Sequence, residues 1–237
     1  MSNEQADSDL NQFNADAKYF RVEWEMFVAD QGRALALLHA ARSVSVSRVL
    51  DIGCGSGQEM LPFVEGGAHG FGMDINPAAG TTGREMFEQE KLSERVNFIV
   101  GSGAKLPFPD KSFEVLICRV ALMYMNQELA FDEMSRVMRP GSILFLKYHS
   151  PFYYFQKLVD GLRYGYFNSA IHASRVICAG LIYQFTGKQS FGRLTAGGEI
   201  FQTRRTIRRE LNKVRLKYLS EMPDSNHQTP SFVIVKE

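Results

Sequence analysis

The sequence predicts an α/β fold built on a doubly wound, seven-stranded and mostly parallel sheet. Between residues 48 and 150, short β-branched apolar runs alternate with longer segments of helical periodicity. The alternation stops for about 40 residues and resumes with a basic helical segment and two more apolar runs. The chain of 237 residues, 45% hydrophobic and 22% charged, is long enough for one such domain with an added lid.

The predicted strands and helices follow from these patterns. The expected strands are residues 48–52, 70–74, 96–100, 114–118, 143–148, 216–219 and 232–235. Crossover helices are expected at residues 58–65, 77–90 and 127–138, with Pro77 in a first helical turn and Pro140 and Gly141 as a stop signal. A basic helix is expected to begin near Thr203.

The chain is expected to form one domain with four segments. These are an N-terminal helical segment (1–44), a core (45–150), an insertion (151–200) and the last helix and strands (201–237). Apolar side chains recur at helical spacing on one side of residues 14–42, including Phe20, Trp24, Phe27 and Val28. This segment is either a helix packed on the sheet or a flap over a ligand.

The insertion is rich in aromatic residues. Residues 151–191 hold Phe and Tyr well above the 12% aromatic content of the chain. The run from Phe152 to Phe155 follows the fifth strand directly, so Tyr153 and Tyr154 are candidate contacts for a substrate with an apolar or ring-like part. The alternative is a helical subdomain that only packs on the core.

Composition and charge exclude several classes of protein. The net charge of +1 indicates no particular partner and does not favour a nucleic-acid ligand. Cys54, Cys118 and Cys178 are widely spaced and form no CxxC pair, so reduced thiols are expected, with no disulfide and no structural metal. The polar, acid-rich N-terminus and the shortness of the most apolar stretch, residues 176–185, predict a cytoplasmic protein without a membrane span.

One basic segment has two possible readings. Between Arg204 and Lys217 the only acidic residue is Glu210, while Ile207, Leu211 and Val214 keep an apolar stripe. The stripe is expected to be buried and the charged residues to face outward. The charged face is either merely solvated or a site for an anionic substrate.

The most informative segment is the glycine-rich turn after the first strand. Gly53, Gly55 and Gly57 follow the strand and precede a helix, which lets the backbone turn tightly and approach a ligand. Their GxGxG spacing differs from the GxGxxG of loops that grip a pyrophosphate. Asp51, just before the turn, would repel a pyrophosphate but attract a ligand that carries an ammonium and a sulfonium. S-adenosylmethionine is such a ligand.

A second acidic residue supports the same cofactor. Asp74 ends the next strand, where a carboxylate can accept hydrogen bonds from both hydroxyls of a ribose. Because the carboxyl ends of parallel strands meet at one edge of a sheet, the two aspartates and the glycine turn are expected to line one crevice.

At this point three segments resemble a known family. Residues 49–57 resemble motif I of the class I S-adenosylmethionine-dependent methyltransferases, and residues 101–115 resemble the end of their third strand and the start of their fourth. Residues 133–142 are similar to the E-x-x-R-V-L-K-P-G-G helix end of the small-molecule branch that includes quinone-biosynthesis methyltransferases. The resemblance covers roughly residues 45–150, with a weaker match in the last 35, and implies a Rossmann-like fold.

The resemblance also implies roles for individual residues. It assigns the ribose diol to Asp74, one face of the adenine to Ile75 and the methionine ammonium to the backbone carbonyl of Arg119. Ser102 and Gly103 stand where the family usually has Asp-Ala, which removes a charged partner for the adenine amino group. The expected cofactor contacts are Asp51, Gly53, Cys54, Gly55, Gly57, Asp74, Ile75, Asn76, Ser102, Gly103 and Arg119.

The implied activity is transfer of a methyl group to an O, N or C atom of a small-molecule acceptor, with S-adenosylhomocysteine as the product. An S-adenosylmethionine-binding protein without transferase activity is the alternative. His149, directly after the fifth strand, is the candidate general base, with a surface histidine as the other reading. Met123 and Tyr124 lie where the family often has two histidines near the methyl donor, so Tyr124 is either an acceptor contact or part of the core.

Overall fold

The computed structural model describes the backbone of residues 3–237, and the side chains of residue 9 and residues 11–237. Its helices are α1 (Asn3–Ala29), α2 (Gln31–Ala41), α3 (Leu61–Glu65), α4 (Pro77–Gln89), α5 (Gln127–Val137), α6 (Pro151–Arg163), α7 (Phe167–Thr186) and α8 (Arg204–Lys213). Its strands are β1 (Arg48–Ile52), β2 (His69–Asp74), β3 (Val96–Val100), β4 (Phe113–Arg119), β5 (Met138–Lys147), β6 (Leu216–Glu221) and β7 (Ser231–Lys236).

The seven strands form one sheet in the order β3-β2-β1-β4-β5-β7-β6. Strands β1 to β5 run parallel, and β7 is antiparallel to both β5 and β6. The order reverses beside β1, so that the carboxyl ends of β1 and β4 border a crevice at that edge of the sheet. The predicted seven-stranded, mostly parallel α/β fold is therefore confirmed.

Helix α5 ends earlier than the sequence predicts. It stops at Val137, and β5 begins at Met138, ahead of Pro140. The amide groups of Lys111 and Ser112 donate to the carbonyl oxygens of Arg136 and Val137, at 3.0 and 2.7 Å. This pairing with the start of β4 takes the chain out of the helix before the proline does, so the helix predicted to reach Met138 ends one residue earlier.

The N-terminal helical segment is broken at Asp30. Asp30 leaves the helical conformation, and its side chain accepts a hydrogen bond from the amide of Arg33, which caps α2. Helix α1 packs on α4 through Trp24, whose ring centre lies 5.0 Å from that of Phe87 in an edge-to-face arrangement. Phe20 on α1 faces the turn after β1 instead, so this helix both packs on the fold and covers a crevice.

The two faces of the sheet carry separate hydrophobic cores. One contains Leu50 and Ile52 with residues of α5 and α8, and the other contains Val49 with residues of α1 to α4. The helices that cover these faces leave the carboxyl edge of the parallel strands free for a ligand.

Helices α6 and α7 form the insertion after β5. They cross closely where a Cβ atom on Gly161 would lie 2.9 Å from the Cβ of Ala170. Buried Tyr154 and Val176 join them to Phe201, which follows the insertion. This hairpin is the helical, aromatic-rich insertion that the sequence predicts. No helix in residues 3–237 combines the length and the apolar character needed to cross a bilayer.

Helix α8 departs from its expected pattern at Glu210. Ile207 and Leu211 are buried as expected, but Glu210 is only 2% exposed. Its two carboxylate oxygens pair with Arg209 at 2.9 Å and Lys213 at 2.8 Å. The expectation that all charged residues of this helix face solvent is therefore wrong, because two neighbouring cations fold back over the carboxylate and compensate its burial.

Candidate functional site

A cavity of about 650 Å³ lies at the carboxyl ends of β1, β2, β4 and β5. Helix α1 covers one side of it through Tyr19 and Phe20, and the start of the α6–α7 hairpin borders the other through Tyr153. All of the site residues expected from the sequence line this cavity except Gly57 and Tyr154. The structure therefore brings together residues that are more than 100 positions apart in the chain.

The glycine turn needs its glycines for both conformation and space. Gly53, Gly55 and Gly57 have φ angles of +71°, +53° and +77°, a region that other residues rarely adopt. A Cβ on Gly53 would lie 2.2 Å from the Cβ of Ala121. Gly57 lies behind the turn, where a Cβ would meet the side chain of Met60 at 2.8 Å, so its contribution is to the packing of the turn.

Asp74 fixes the turn to the neighbouring strand. One carboxylate oxygen accepts from the amide of Gly55 at 3.0 Å, and the other accepts from the amide of Asn76 at 2.9 Å. The side-chain amide of Asn76 donates in turn to Asp16 on α1 at 2.8 Å. Ile75 is 78% exposed and lines the cavity.

The wall of the cavity formed by Ser102 and Gly103 offers fewer polar contacts than the wall formed by Asp74. Ser102 is exposed, and its hydroxyl oxygen accepts from the amide of Ala104 at 3.3 Å. A Cβ on Gly103 would lie 2.6 Å from the sulfur of Met125, so this position admits only glycine without rearrangement.

The inner end of the cavity holds an excess of carboxylate. Asp51 is 2% exposed, and the side chains of residues 11–237 offer no hydrogen-bond partner to its Oδ2 atom. Glu59 is also buried; its Oε1 atom accepts from Arg33 and, at 2.8 Å, from Arg119. Its Oε2 atom has no partner within the described part of the chain. Burial, together with Glu59 and Asp74, raises the pKa of Asp51 well above its ordinary value.

Arg119 is held in place by groups outside the cavity. Besides Glu59, its guanidinium donates to the hydroxyl of Ser231 at 3.0 Å and to the carboxylate of Asp224. The next residue, Val120, has a φ of +60°, which is strained for a β-branched side chain. The backbone after β4 is thus locked in an unusual conformation where it lines the cavity.

His149 lines the cavity beside the α6–α7 hairpin, between two tyrosines. Its ring stacks on Tyr153 at a centroid distance of 3.6 Å and an angle of 11°. Its Nδ1 atom lies 3.4 Å from the hydroxyl of Tyr154. His149 is 8% exposed, so the reading of this residue as a surface histidine is wrong.

Tyr154 is buried and does not reach the cavity, contrary to the expectation that it contacts the acceptor. Its hydroxyl donates to Oε1 of Glu199 at 2.6 Å, and Oε2 of Glu199 lies 3.1 Å from Nε2 of His172 on α7. The side chain is placed there because its ring fills the small core between α6, α7 and Phe201.

The contacts of Tyr154 with Glu199 and His149 select one tautomer of His149. Tyr154 has a single hydroxyl proton, which it gives to the carboxylate of Glu199. The oxygen of Tyr154 can then only accept from His149, so the proton of the neutral imidazole resides on Nδ1 and Nε2 carries the lone pair. Burial, assisted by Lys157 and Lys147, lowers the pKa of His149 to about 4, so the ring is neutral at pH 7.

Tyr124 lines the cavity opposite this pair, while its neighbour Met123 is fully buried in the core. Burial, with Glu199 and Tyr153, raises the pKa of Tyr124 to about 12. Its hydroxyl therefore stays protonated at neutral pH.

Sequence reasoning missed Arg33, Glu59 and Glu199. Glu59 stands two residues after the glycine turn, and its place at the start of the following helix was the available signal. Arg33 and Glu199 reach the site from α2 and from the end of the insertion, and nothing in their local sequence marks them.

Comparison with known proteins agrees with this geometry. A family model described as a methyltransferase domain matches residues 50–146. The chain is 36% identical over 100 residues to Sterol 24-C-methyltransferase ERG6B of Gibberella zeae, covering 40% of this chain and 26% of that protein. It is 27% identical over 124 residues to the demethylmenaquinone methyltransferase of Clavibacter sepedonicus, covering 52% and 49%.

A third relative is the uncharacterized methyltransferase YcgJ of Bacillus subtilis, 31% identical over 141 residues, which cover 59% of this chain and 54% of that protein. The chain therefore spans between about a quarter and about half of the length of these curated relatives.

Solved structures share the fold at low sequence identity. The putative methyltransferase in a complex with the Haloferax volcanii Trm112 methyltransferase activator has a TM-score of 0.58 at 15% identity, covering 91% of this chain and 95% of that chain. A geranyl diphosphate C-methyltransferase from Streptomyces coelicolor, in complex with S-adenosyl-L-homocysteine, has a TM-score of 0.54 at 15% identity, covering 79% and 69%. The match over residues 50–146, the glycine turn and the strand order make the core of this chain similar to the class I S-adenosylmethionine-dependent methyltransferases.

Proposed function

We propose that this protein binds S-adenosylmethionine and transfers its methyl group to an O, N or C atom of a small-molecule acceptor that has an apolar or ring-like part. The observation that carries the proposal is the pair of buried acidic side chains at the inner end of the cavity. Asp51 and Glu59 each bury a carboxylate oxygen without a partner among the described side chains. A cationic ligand completes such a site, because an unpaired buried charge is otherwise costly.

The residues fit this cofactor from one end to the other. The ammonium group would lie near Asp51, Glu59 and the backbone carbonyl of Arg119, with Arg33 available to its carboxylate. Gly53, Cys54 and Gly55 would let the backbone approach the methionine and ribose. Asp74 would take the ribose hydroxyls, and the adenine would lie between Ile75, Asn76, Ser102 and Gly103. When bound, the cofactor supplies a methyl group activated by a positively charged sulfur.

The protein's main contribution to the reaction is positioning. Orienting two reactants can remove about 7–11 kcal/mol from a barrier. Helix α1 and the start of the α6–α7 hairpin cover the two sides of the cavity and would exclude water around a bound ligand, which would strengthen every electrostatic interaction inside. The S-adenosylhomocysteine that results would leave through the same opening.

For an acceptor with a hydroxyl, His149 would take the proton. Its neutral state at pH 7 leaves the lone pair on Nε2 able to accept a proton, and Tyr154 and Glu199 hold the ring in that tautomer; the pKa of about 4 makes it a weak base. Tyr124 and Tyr153 would contact the acceptor. An acidic phenol or an amine would need no base.

The names of the relatives support an apolar acceptor. They describe methyltransferases acting on sterols and on demethylmenaquinone, molecules with large apolar or ring-like parts. We further propose a role in small-molecule biosynthesis in the cytoplasm, with the four segments 1–44, 45–150, 151–200 and 201–237 forming one domain. The unpaired thiols of Cys54, Cys118 and Cys178 are compatible with a reducing compartment.

Calorimetry with S-adenosylhomocysteine tests the cofactor site. Asp74→Ala is expected to weaken binding at least about tenfold, because hydrogen bonds to a charged group contribute about 1.5–3 kcal/mol. Asp132→Ala, at an exposed position of α5, is the control and should leave the affinity unchanged. An unchanged affinity in a folded Asp74→Ala variant would contradict the assignment.

Transfer of a labelled methyl group distinguishes a methyltransferase from a cofactor-binding protein without transferase activity. Incubation with radiolabelled S-adenosylmethionine and cellular metabolite pools should label an extractable small molecule, and His149→Ala should slow that labelling without changing cofactor affinity. Tight binding of the cofactor with no labelled product from any pool would favour a cofactor-binding protein without transferase activity. The cyclase SpnF, with a TM-score of 0.56 at 19% identity, has the same fold, so the fold by itself does not establish transfer.

A further inference from the structure

The outer surface of the α6–α7 hairpin is apolar and exposed to an extent found nowhere else among the described side chains. Nearly half of the exposed large hydrophobic residues among the described side chains lie between residues 152 and 185. They include two aromatic residues on α6, three at the tip of the hairpin and one near the end of α7 that is 87% exposed: Phe152, Phe155, Tyr164, Tyr166, Phe167 and Phe185.

The exposed side chains form one continuous stripe on each helix. On α6 they recur at positions 152, 155, 159 and 162, and on α7 at positions 167, 171, 182 and 185, with the exposed Cys178 between them. These spacings of three, four or seven residues keep them on one face of a helix. The opposite faces carry Tyr154 and Gly161 on α6 and Ala173, Val176 and Tyr183 on α7, which are buried against the rest of the protein. Both stripes therefore face away from the core.

The same hairpin carries a local positive charge in a chain that is nearly neutral. Residues 151–186 contain three Lys and Arg residues and only one acidic residue, Asp160, whereas the whole chain has a net charge of +1. Arg163 follows Leu162 on α6, and Arg175 lies within the apolar stripe of α7. Both arginines are exposed. Ion pairs engage neither of them within residues 11–237.

We propose that the outer face of the α6–α7 hairpin binds the surface of a lipid bilayer that contains anionic headgroups. Exposed Phe, Leu and Ile side chains would enter the boundary between headgroups and acyl chains, with the Tyr rings at its polar level. Lys and Arg would pair with the anionic headgroups. Since neither helix is apolar enough to span a bilayer, the hairpin lies in the plane of the interface.

Charge favours a bilayer over a second copy of this chain. A symmetric pair would place the hairpin of one copy against the hairpin of the other, because a two-fold interface uses the same patch twice. Arg163, Arg175 and their basic neighbours would then face each other with only Asp160 to compensate them. Like charges at an interface are unfavourable, whereas an anionic membrane neutralises them.

The position of the hairpin would let contact with a membrane bring the cavity close to the bilayer. Its inner side carries Tyr153, which borders the acceptor side of the cavity, while its outer side carries the apolar stripes. A protein docked by this face holds its acceptor site next to the bilayer, where an apolar acceptor would partition. The membrane contact itself does not depend on the proposed function and is tested without any acceptor.

Co-sedimentation with vesicles tests the proposal. The full chain is expected to sediment with vesicles of phosphatidylcholine mixed with phosphatidylglycerol, and far less with phosphatidylcholine alone. The double variant Phe155→Asp and Phe185→Asp is expected to lose binding by about tenfold or more. Arg163→Glu with Arg175→Glu should weaken binding and reduce its dependence on salt. The matched control, Leu35→Asp with Leu219→Asp, changes two apolar side chains of similar exposure on α2 and β6 and should bind like the unmodified chain.

Calorimetry with S-adenosylhomocysteine on every variant shows whether it is folded and keeps this test separate from that of the cofactor site. The proposal is overturned if the unmodified chain sediments with neither kind of vesicle, or if the hairpin variants and the control variant bind equally. A second outcome would also overturn it: ultracentrifugation shows a dimer of the unmodified chain, the Phe155→Asp and Phe185→Asp changes dissociate that dimer, and the unmodified chain binds no vesicles. Equal binding to neutral and mixed vesicles would overturn the assignment of anionic headgroups.

Discussion

Asp51 shows at the scale of one residue how stability and ligand binding oppose each other. Folding places its carboxylate where it is desolvated and close to Glu59 and Asp74, and its Oδ2 atom receives no hydrogen bond from residues 11–237. Such a position costs free energy of folding in the absence of a ligand. The same position gives a cationic ligand its strongest attraction, since the interaction takes place away from water.

Asp51→Asn is therefore expected to stabilise the protein without ligand while weakening its cofactor affinity. The pKa of Asp51 is raised on folding, so this carboxyl group favours the folded state at low pH and loses that contribution as the pH rises from about 4 through the folded-state pKa. The asparagine has no such dependence, and its advantage in free energy of unfolding should grow with pH. Urea unfolding at pH 5 and pH 8 measures this, with Asp132→Asn as the exposed control; a gain that shrinks with pH would contradict the argument.

His149 is expected to show the opposite dependence. Burial lowers its pKa to about 4, below the value near 6.5 of the unfolded chain, so the unfolded state binds more protons between these values. Its contribution to stability is complete above about pH 6.5 and is lost as the pH falls toward 4. His149→Asn should thus lose less stability than the unmodified chain between pH 7 and pH 5, and His69→Asn, at an exposed position, should behave like the unmodified chain. Equal losses in all three proteins would show that His149 is not held neutral.

At this scale the sequence reveals residues whose role is local. The glycine turn and Asp74 were predictable because a turn of this spacing after a strand requires φ angles and a close approach that only glycine allows. Glu199 was not predictable. Its part in orienting His149 depends on a contact with Tyr154, which lies 45 positions earlier in the chain. That contact exists only once α6 has folded onto the end of the insertion.

At the scale of elements, the covers of the cavity are held by close contacts of small residues. Helix α7 approaches the segment around Phe201 so closely that a Cβ on Gly180 would lie 2.3 Å from the phenylalanine ring. The ring is buried with Tyr154 and Val176, so it has no free space to enter. Gly180 carries a hydrogen atom where alanine would carry a methyl group, and this lets the hairpin pack so closely against the rest of the fold.

Gly180→Ala is expected to lower the free energy of unfolding by about 1–3 kcal/mol, the usual range for overpacking of a core. The matched change is Gly32→Ala in α2, where the nearest contact of the new methyl group is the end of the Asp30 side chain at 3.3 Å. That change should be neutral or stabilise the protein by up to about 1 kcal/mol, because alanine favours a helix. Urea denaturation measures both, and a neutral Gly180→Ala would show that the hairpin moves freely on the core.

The order and type of the elements were predictable, but several boundaries were not. Periodicity identified all seven strands, since each is a short apolar run between polar turns. The break at Asp30 and the early end of α5 depend on a cap and on strand pairing at residues 111–113. Tertiary pairing of this kind overrides local helical preference and leaves little trace in the local pattern.

At the scale of the whole molecule, the cavity has two covers of different origin. Helix α1 comes from the N-terminal segment and places Phe20 within 3.2 Å of where a Cβ on Gly55 would lie. The α6–α7 hairpin comes from the insertion and places Tyr153 on His149. We expect the first cover to border the cofactor and the second to border the acceptor.

Two alanine variants are expected to separate these sides. Phe20→Ala should weaken the binding of S-adenosylhomocysteine several-fold. Tyr153→Ala should leave that affinity within about threefold, a change under about 0.7 kcal/mol, while turnover of the acceptor falls much further. Calorimetry and steady-state kinetics with the labelled acceptor provide the two readouts. The reverse pattern, with Tyr153→Ala losing cofactor binding and keeping acceptor kinetics, would show that the hairpin belongs to the cofactor site.

The contact between Trp24 and Phe87 gives the molecule an optical reporter. Trp24 is the only tryptophan of the chain, and it is buried where α1 meets α4. Its fluorescence therefore reports on one event, the seating of α1 over the cofactor side of the cavity. If that helix moves aside to admit a ligand, acrylamide should quench the emission more strongly in the free protein than in the presence of S-adenosylhomocysteine. The rate at which the cavity opens can then be followed by stopped flow in the unmodified protein, with no attached dye.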